Sequence, residues 1–208
     1  MQGKLELMLG PMRSNKTAEL LRRCEMRRQY AGQHVLVLKP GDGAKTAPGA
    51  PGVVESRNPN GHARMTAIEF KAGDPWTVLA AIEQKEQEIG KRVECIAIDE
   101  GQFVEGLFVF VKHLLDAGHD VLVAGLDLDF RALPFGEMLN LSWLVNAYGG
   151  STTECMAYCS CGARALYTQR LIDDKPAPWD SPVKVPGDAG DTYEPRCAEH
   201  FVLPGRPH

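Results

Sequence analysis

The stretch GPMRSNKT, residues 10–17, decides how the rest of this chain is read. It is one glycine short of the phosphate-cradling pattern GxxxxGK[ST], with Asn15 standing where the second glycine belongs. Before it, LELML (5–9) is a short apolar run that predicts a buried strand. After it, AELLRRCEMRRQ (18–29) places Leu20, Leu21 and Cys24 at helical spacing. A strand, a tight loop and a helix N-terminus together make an anion site, because free backbone N–H groups and the helix dipole converge there. In such a loop Gly10, Pro11, Met12, Arg13, Ser14 and Asn15 form the cradle, Lys16 reaches the β- and γ-phosphates, and the Thr17 hydroxyl sits on Mg²⁺. Asn tolerates a left-handed backbone best among the non-glycine residues, so the loop can keep its shape with Asn15. The competing reading is an ordinary strand-to-helix turn with a chance Lys-Thr pair.

Working outward, strands and helices alternate. HVLVLKP (34–40) reads as a second buried strand, and the Gly- and Pro-rich GDGAKTAPGAPG (41–52) as a loop. A helix is expected around Trp76 to Glu88, with Val78, Leu79, Ile82 and Ile89 apolar. VECIAIDE (93–100) reads as a strand, LFVFVKHLLDAG (107–118) as a helix, DVLVAGLDLDF (120–130) as a strand and MLNLSWLVNAYGG (138–150) as a helix. This order predicts an α/β fold of the phosphate-loop, RecA-like kind: a parallel sheet with helices on both faces and ligands at the carboxyl ends of the strands. Near residue 150 the composition turns to Cys, Gly, Pro and charged residues. The expected division is a nucleotide-binding domain over 1–150 and a smaller unit over 151–208.

The third of these strands ends in Asp99 and Glu100. Two carboxylates at the carboxyl end of a core strand face the same crevice as the phosphate loop. One would hold Mg²⁺; the other could accept a proton from a substrate hydroxyl. Gln102, two residues on, is counted with the nucleotide-binding set. A helix N-terminal cap is the competing reading, since acids favour that position.

Composition narrows the class. A formal charge of −4 argues against nucleic acid as a partner. No apolar stretch approaches the length that crosses a bilayer, and MQGKLELMLG lacks the apolar core of a signal peptide, so a cytoplasmic protein is expected. Cys24 and Cys95 sit in apolar helix and strand patterns and read as buried thiols, whereas Cys155, Cys159, Cys161 and Cys197 crowd the last quarter of the chain. In a reducing compartment that clustering favours metal over disulfide.

GPM-S-KT followed by ELLRR (19–23), then DEGQF (99–103) and GLDLDFR (125–131), resemble the zinc-containing thymidine kinases of cells and many viruses. The motifs are several, separated and in the right order, and they cover nearly the whole chain. The resemblance implies ATP-dependent phosphorylation of the 5′-hydroxyl of thymidine, with deoxyuridine as a further acceptor, in nucleotide salvage for DNA synthesis. It implies Glu100 as catalytic base and Asp99 as the residue serving Mg²⁺. It also implies Phe130 and Tyr193 around the thymine, with Met12 and Thr168 nearby, and a homotetramer. Arg131, following Phe130, favours an exposed rim for that ring over core packing.

The tail fits the same resemblance. Cys159-Ser-Cys161-Gly and Cys197-Ala-Glu-His200 supply three thiolates and one imidazole, the donor set of a closed structural zinc site. Cys155 could take the place of Cys159, which is favoured because it lies nearer Gly162. Between the pairs, residues 171–192 are rich in Pro, Gly and Asp and cannot build a core. In the family this segment closes over the nucleoside, and Val185 and Gly187 resemble the residues that hold the base through backbone groups. A nucleic-acid zinc finger competes, but the segment is acidic.

Departures from the family pattern are Asn15, Arg13 in place of Phe, and Lys45 at an Arg position with the neighbouring Asp missing. Lysine carries charge to a phosphate without arginine's planar fork. A nucleotide-binding relative with weakened catalysis and a sensing or assembly role therefore stands as the second reading. Retention of Lys16, Thr17, Asp99 and Glu100 favours the kinase.

Overall fold

The computed structural model describes residues 2–41, 50–56, 63–183 and 191–207. Strands β1 (Leu5–Leu9), β2 (Val35–Gly41), β3 (Ala50–Glu55), β4 (Arg64–Lys71), β5 (Cys95–Ile98), β6 (Asp120–Gly125) and β7 (Gly150–Glu154) form one sheet in the order β3-β4-β2-β5-β6-β1-β7. Every neighbouring pair is parallel except β3 with β4. Helices α1 (Lys16–Tyr30), α2 (Leu79–Ile89), α3 (Leu107–Asp116) and α4 (Leu141–Tyr148) cover it.

Alternation along the central strands assigns the layers. Leu5, Leu7, Leu38, Ile96 and Val123 pack with Ile82 of α2, Phe110 of α3 and Leu141 of α4. Met8, Val37, Ala97 and Leu122 point the other way, to Leu20, Leu21 and Cys24 of α1. A strand buried on both faces can afford no polar position, which is why CIAI and VLVA read as unbroken apolar runs.

Several expected boundaries move. The strand read as 120–130 ends at Gly125, because the Leu126 N–H leaves the ladder and donates to Gln102 Oε1 at 3.0 Å. A 3₁₀ turn over Pro75–Val78 precedes α2, and the helix read from 138 begins at Leu141. The loop read as 41–52 gives way to β3 at Ala50; Lys45 lies outside the described residues. Strand β4 and the polar edge strand β7 had no counterpart in the sequence reading. Because β7 pairs with β1, the composition shift near residue 150 falls one strand before the chain leaves the large sheet.

Beyond it, β8 (Ala157–Tyr158) and β9 (Arg164–Ala165) make a short hairpin. Strands β10 (Tyr167–Ile172), β11 (Lys175–Pro176) and β12 (Thr192–Arg196) form a separate antiparallel sheet ordered β11-β10-β12. Its register sets Arg170 opposite Tyr193 and Thr168 opposite Pro195, so these four share one face. Among the described residues, no helix is long and apolar enough to cross a membrane.

Candidate active site and metal centre

The phosphate loop leaves the carboxyl end of β1 and opens α1. Gly10 has φ 148, and a Cβ there would stand 2.2 Å from the Cys155 carbonyl oxygen, so only glycine fits. Arg13 (φ 59) and Asn15 (φ 62) are both left-handed. Asn15 thus adopts the backbone that the missing glycine would supply, and its carbonyl accepts from the Glu19 N–H at 3.0 Å to start the helix. Lys16 curls over the loop: its Nζ donates to the Pro11 carbonyl at 2.7 Å and to Ser14 Oγ at 3.2 Å. Burial pushes the Lys16 pKa down, against the opposing pull of Glu100, Cys155, Asp99 and Asp127.

One strand, β6, separates β1 from β5, so the second motif ends beside the first. Thr17 Oγ1 donates to the Asp99 carboxylate, 3.2 Å from each oxygen. Asp99 is buried, and its pKa is raised to about 7, first by burial and then by the neighbouring Glu100 charge. Hydroxyl and carboxylate oxygens are the hard donors that Mg²⁺ takes, and a divalent cation would relieve this crowding of negative charge. Glu100 itself is left-handed (φ 53, ψ 41), which turns the chain sharply into a 3₁₀ turn over Gly101–Phe103. Its carboxylate accepts from Gln102 Nε2, while Gln102 Oε1 accepts from Leu126. Gln102 therefore has both polar ends engaged with protein groups and orients Glu100.

A second cluster lies in the small unit. The ligand atoms of Cys159, Cys161, Cys197 and His200 all lie within 4.8 Å of one another. Cys161 Sγ is 3.8 Å from Cys197 Sγ, and His200 Nδ1 is 3.3 Å from Cys197 Sγ and 3.7 Å from Cys159 Sγ. Sulfurs bound at ~2.3 Å around a tetrahedral zinc stand ~3.8 Å apart, whereas a disulfide would need ~2.05 Å. Backbone N–H groups of Cys161 and Cys197 hold the Cys159 thiol well below the usual thiol range, which favours the thiolate form that a metal takes. This Cys3His cluster can hold a zinc ion. Cys155 stands apart in the α1-side core, its N–H on the Leu9 carbonyl at 2.7 Å, so Cys159 and not Cys155 completes the cluster.

The residues expected from the sequence to meet the nucleoside are placed as follows. The Met12 N–H donates to Thr168 Oγ1 at 3.0 Å, which ties the phosphate loop to the small sheet. Phe130 is not an exposed rim: it is 5% accessible, with the Arg170 guanidinium 5.2 Å and the Arg131 guanidinium 5.8 Å from its centroid. Arg131 is in turn held by the buried Asp129 carboxylate at 2.7 Å, which keeps it folded back instead of reaching out. Tyr193 shares the sheet face of Thr168 and Arg170. Val185 and Gly187 lie outside the described residues.

A family model for thymidine kinase matches residues 3–201 of this chain. The chain belongs to the thymidine kinase family. It is accordingly a transferase that phosphorylates nucleosides, and its Cys3His cluster agrees with the zinc-containing type.

Loop amides, the α1 N-terminus and Lys16 thus gather at the carboxyl end of β1, the Thr17 hydroxyl meets the Asp99 carboxylate beside them, and Glu100 follows Asp99 in the chain. Sequence reasoning missed Asp127, whose charge acts on Lys16 from the loop just past β6. Its signal was present, since GLDLDF places acids just past a core strand as DEGQF does. It missed Arg170 altogether, because an arginine in a polar strand carries no pattern until its partners are known.

Proposed function

We propose that this kinase transfers the γ-phosphate of ATP to the 5′-hydroxyl of thymidine, and of deoxyuridine, giving the 5′-monophosphate for DNA synthesis. The observation that carries the reading is the contact of Thr17 with Asp99 at 3.2 Å, with Glu100 next in the chain and Lys16 on the same loop. The loop amides and Lys16 cradle the phosphates of ATP. Mg²⁺, held by Thr17 and Asp99, supplies neutralisation of phosphate charge. Glu100, oriented by Gln102, takes the proton from the 5′-hydroxyl as that oxygen bonds the γ-phosphorus and the bond to the β-phosphate oxygen breaks. ADP leaves with the electron pair.

Phe130, Thr168 and Tyr193 form the nucleoside side, and a flat base with apolar faces suits an aromatic partner. Met12 lends its backbone to that side, and Val185 and Gly187 hold the base through main-chain groups. Zinc at Cys159, Cys161, Cys197 and His200 has four protein ligands and hence no open position for chemistry. It acts by joining the hairpin of β8 and β9 to the end of β12. The reading carries a cytoplasmic homotetramer with it, and the net charge of −4 supports small molecules over nucleic acid as partners.

The test is a radiometric assay of the purified protein with MgATP and, separately, thymidine, deoxyuridine, deoxycytidine and a purine nucleoside. Phosphorylation confined to the first two supports the reading. Transfer only to another nucleoside, or to none, overturns it.

A further inference from the structure

Arg170 is among the largest fully buried side chains of the molecule, and a buried guanidinium is costly unless its charge and donors are matched. Here they are matched from two points in the chain between β11 and β12. Arg170 Nε donates to Asp191 Oδ2 at 2.6 Å, and Nη1 donates to the Pro182 carbonyl at 2.5 Å. Pro182 follows β11, and Asp191 precedes β12. One planar fork therefore sets the separation of the two chain segments where they leave the small sheet and return to it.

The face of that fork lies over Phe130 at 5.2 Å. A second contact of the same kind joins these segments to the loop after β6: the Arg131 guanidinium is 5.8 Å from the Trp179 ring, and the Trp179 backbone N–H donates to the Pro204 carbonyl at 2.8 Å. On the opposite face of β10, Gln169 accepts from the Val202 N–H, so the strand is fixed from both sides. Among the described residues, the hydrogen-bond partners of the Arg170 guanidinium are Asp191 and the Pro182 carbonyl, and neither belongs to the phosphate loop.

We propose that Arg170 is the positioning residue for the nucleoside: its guanidinium joins the Pro182 and Asp191 segments and seats them on Phe130, and so fixes affinity for the nucleoside but not for ATP. This rests on the reading of Phe130, Thr168 and Tyr193 as the nucleoside side. Lysine cannot substitute, because one ammonium cannot reach both acceptors and also stack on a ring.

The experiment compares wild type with Arg170→Met, Arg170→Lys, Asp191→Asn and the double variant Arg170→Met/Asp191→Asn. Thymidine and MgATP are varied independently, thymidine binding is measured by calorimetry, and zinc content is determined for each. The expected result is a rise of about ten- to hundredfold in thymidine KM and Kd for Arg170→Met and Arg170→Lys, because small misplacements of a binding element cost that much. The KM for ATP and the zinc content stay at wild-type values. The double variant is no worse than Arg170→Met alone, since both substitutions break one contact. If Arg170→Met does not fold, Arg170→Lys and Asp191→Asn carry the same comparison.

Unchanged thymidine affinity in folded Arg170→Met or Arg170→Lys overturns the assignment. So does a parallel loss of thymidine affinity, ATP affinity and zinc, which is the mark of a purely structural role. A wild type that binds no nucleoside overturns the functional reading itself and the assignment with it. A working wild type with indifferent variants overturns only Arg170's part.

Discussion

Replacing Asn15 by glycine and by valine asks whether the phosphate loop depends on a left-handed residue at that position. Asn15 has φ 62 and ψ 22 and directly precedes Lys16, so any relaxation there displaces the amides at the start of α1. The left-handed region costs an ordinary L-residue about 1–2 kcal/mol, with β-branched residues at the unfavourable end. Glycine escapes that strain but gives up about 0.5–1 kcal/mol of unfolded-chain entropy. Asn15→Gly should therefore lie close to wild type, while Asn15→Val should lose about 1–2 kcal/mol. At about 1.4 kcal/mol per tenfold, that is about 5- to 30-fold in ATP affinity if the loop relaxes when empty. If the surrounding contacts hold valine in place, the same energy appears as lost folding stability. Calorimetric titration with MgATP and urea unfolding of the nucleotide-free protein measure the two shares. Valine equal to asparagine in both would refute the argument.

Two further perturbations follow from the same geometry. Cys161→Ser and His200→Ala should lose the zinc, about one per chain by metal analysis, and Cys155→Ser should keep it, because Cys155 lies in the α1-side core. Zinc loss should weaken thymidine binding far more than ATP binding, since β12 carries Tyr193 and runs directly into Cys197; unchanged thymidine affinity in zinc-free protein would count against this. For Asp99, the folded-state pKa of about 7 lies above the ordinary 3.8, so the folded chain keeps a proton that the unfolded chain has released. Stability should fall as pH rises between those values and level off above about 7. Asp99→Asn should flatten that slope, and added Mg²⁺ should restore neutral-pH stability to wild type but not to the variant, as followed by urea unfolding across pH.

The central sheet was legible because its strands are buried on both faces and announce themselves as apolar runs. The phosphate loop was legible despite its missing glycine, because Asn15 is the substitute that backbone sterics permit, and the structure gives it the left-handed φ. Strand β7, GSTTE, escaped notice since a polar edge strand has no apolar period; only its pairing with β1 makes it a strand. Strand β3 contains Pro51 and Gly52, which read as loop, and it pairs antiparallel at the opposite edge. The cysteine spacing left Cys155 and Cys159 in competition, and the hairpin of β8 and β9 is what carries Cys159 to the cluster. Phe130 was misjudged from its neighbour: Arg131 folds onto Asp129 and helps cover the ring. Arg170 and the Thr168 contact with Met12 join segments over 150 residues apart in one case and across two flanks in the other, which no local pattern encodes.

The most direct test of the account is the turnover of Glu100→Gln with saturating MgATP and thymidine. Glutamine keeps the size of the side chain and can still meet Gln102, but it cannot take a proton. The expected result is a fall in kcat of about 10²- to 10⁴-fold with MgATP affinity retained and folding stability no lower than wild type, since the charge beside Asp99 is gone. Turnover near that of wild type would contradict it.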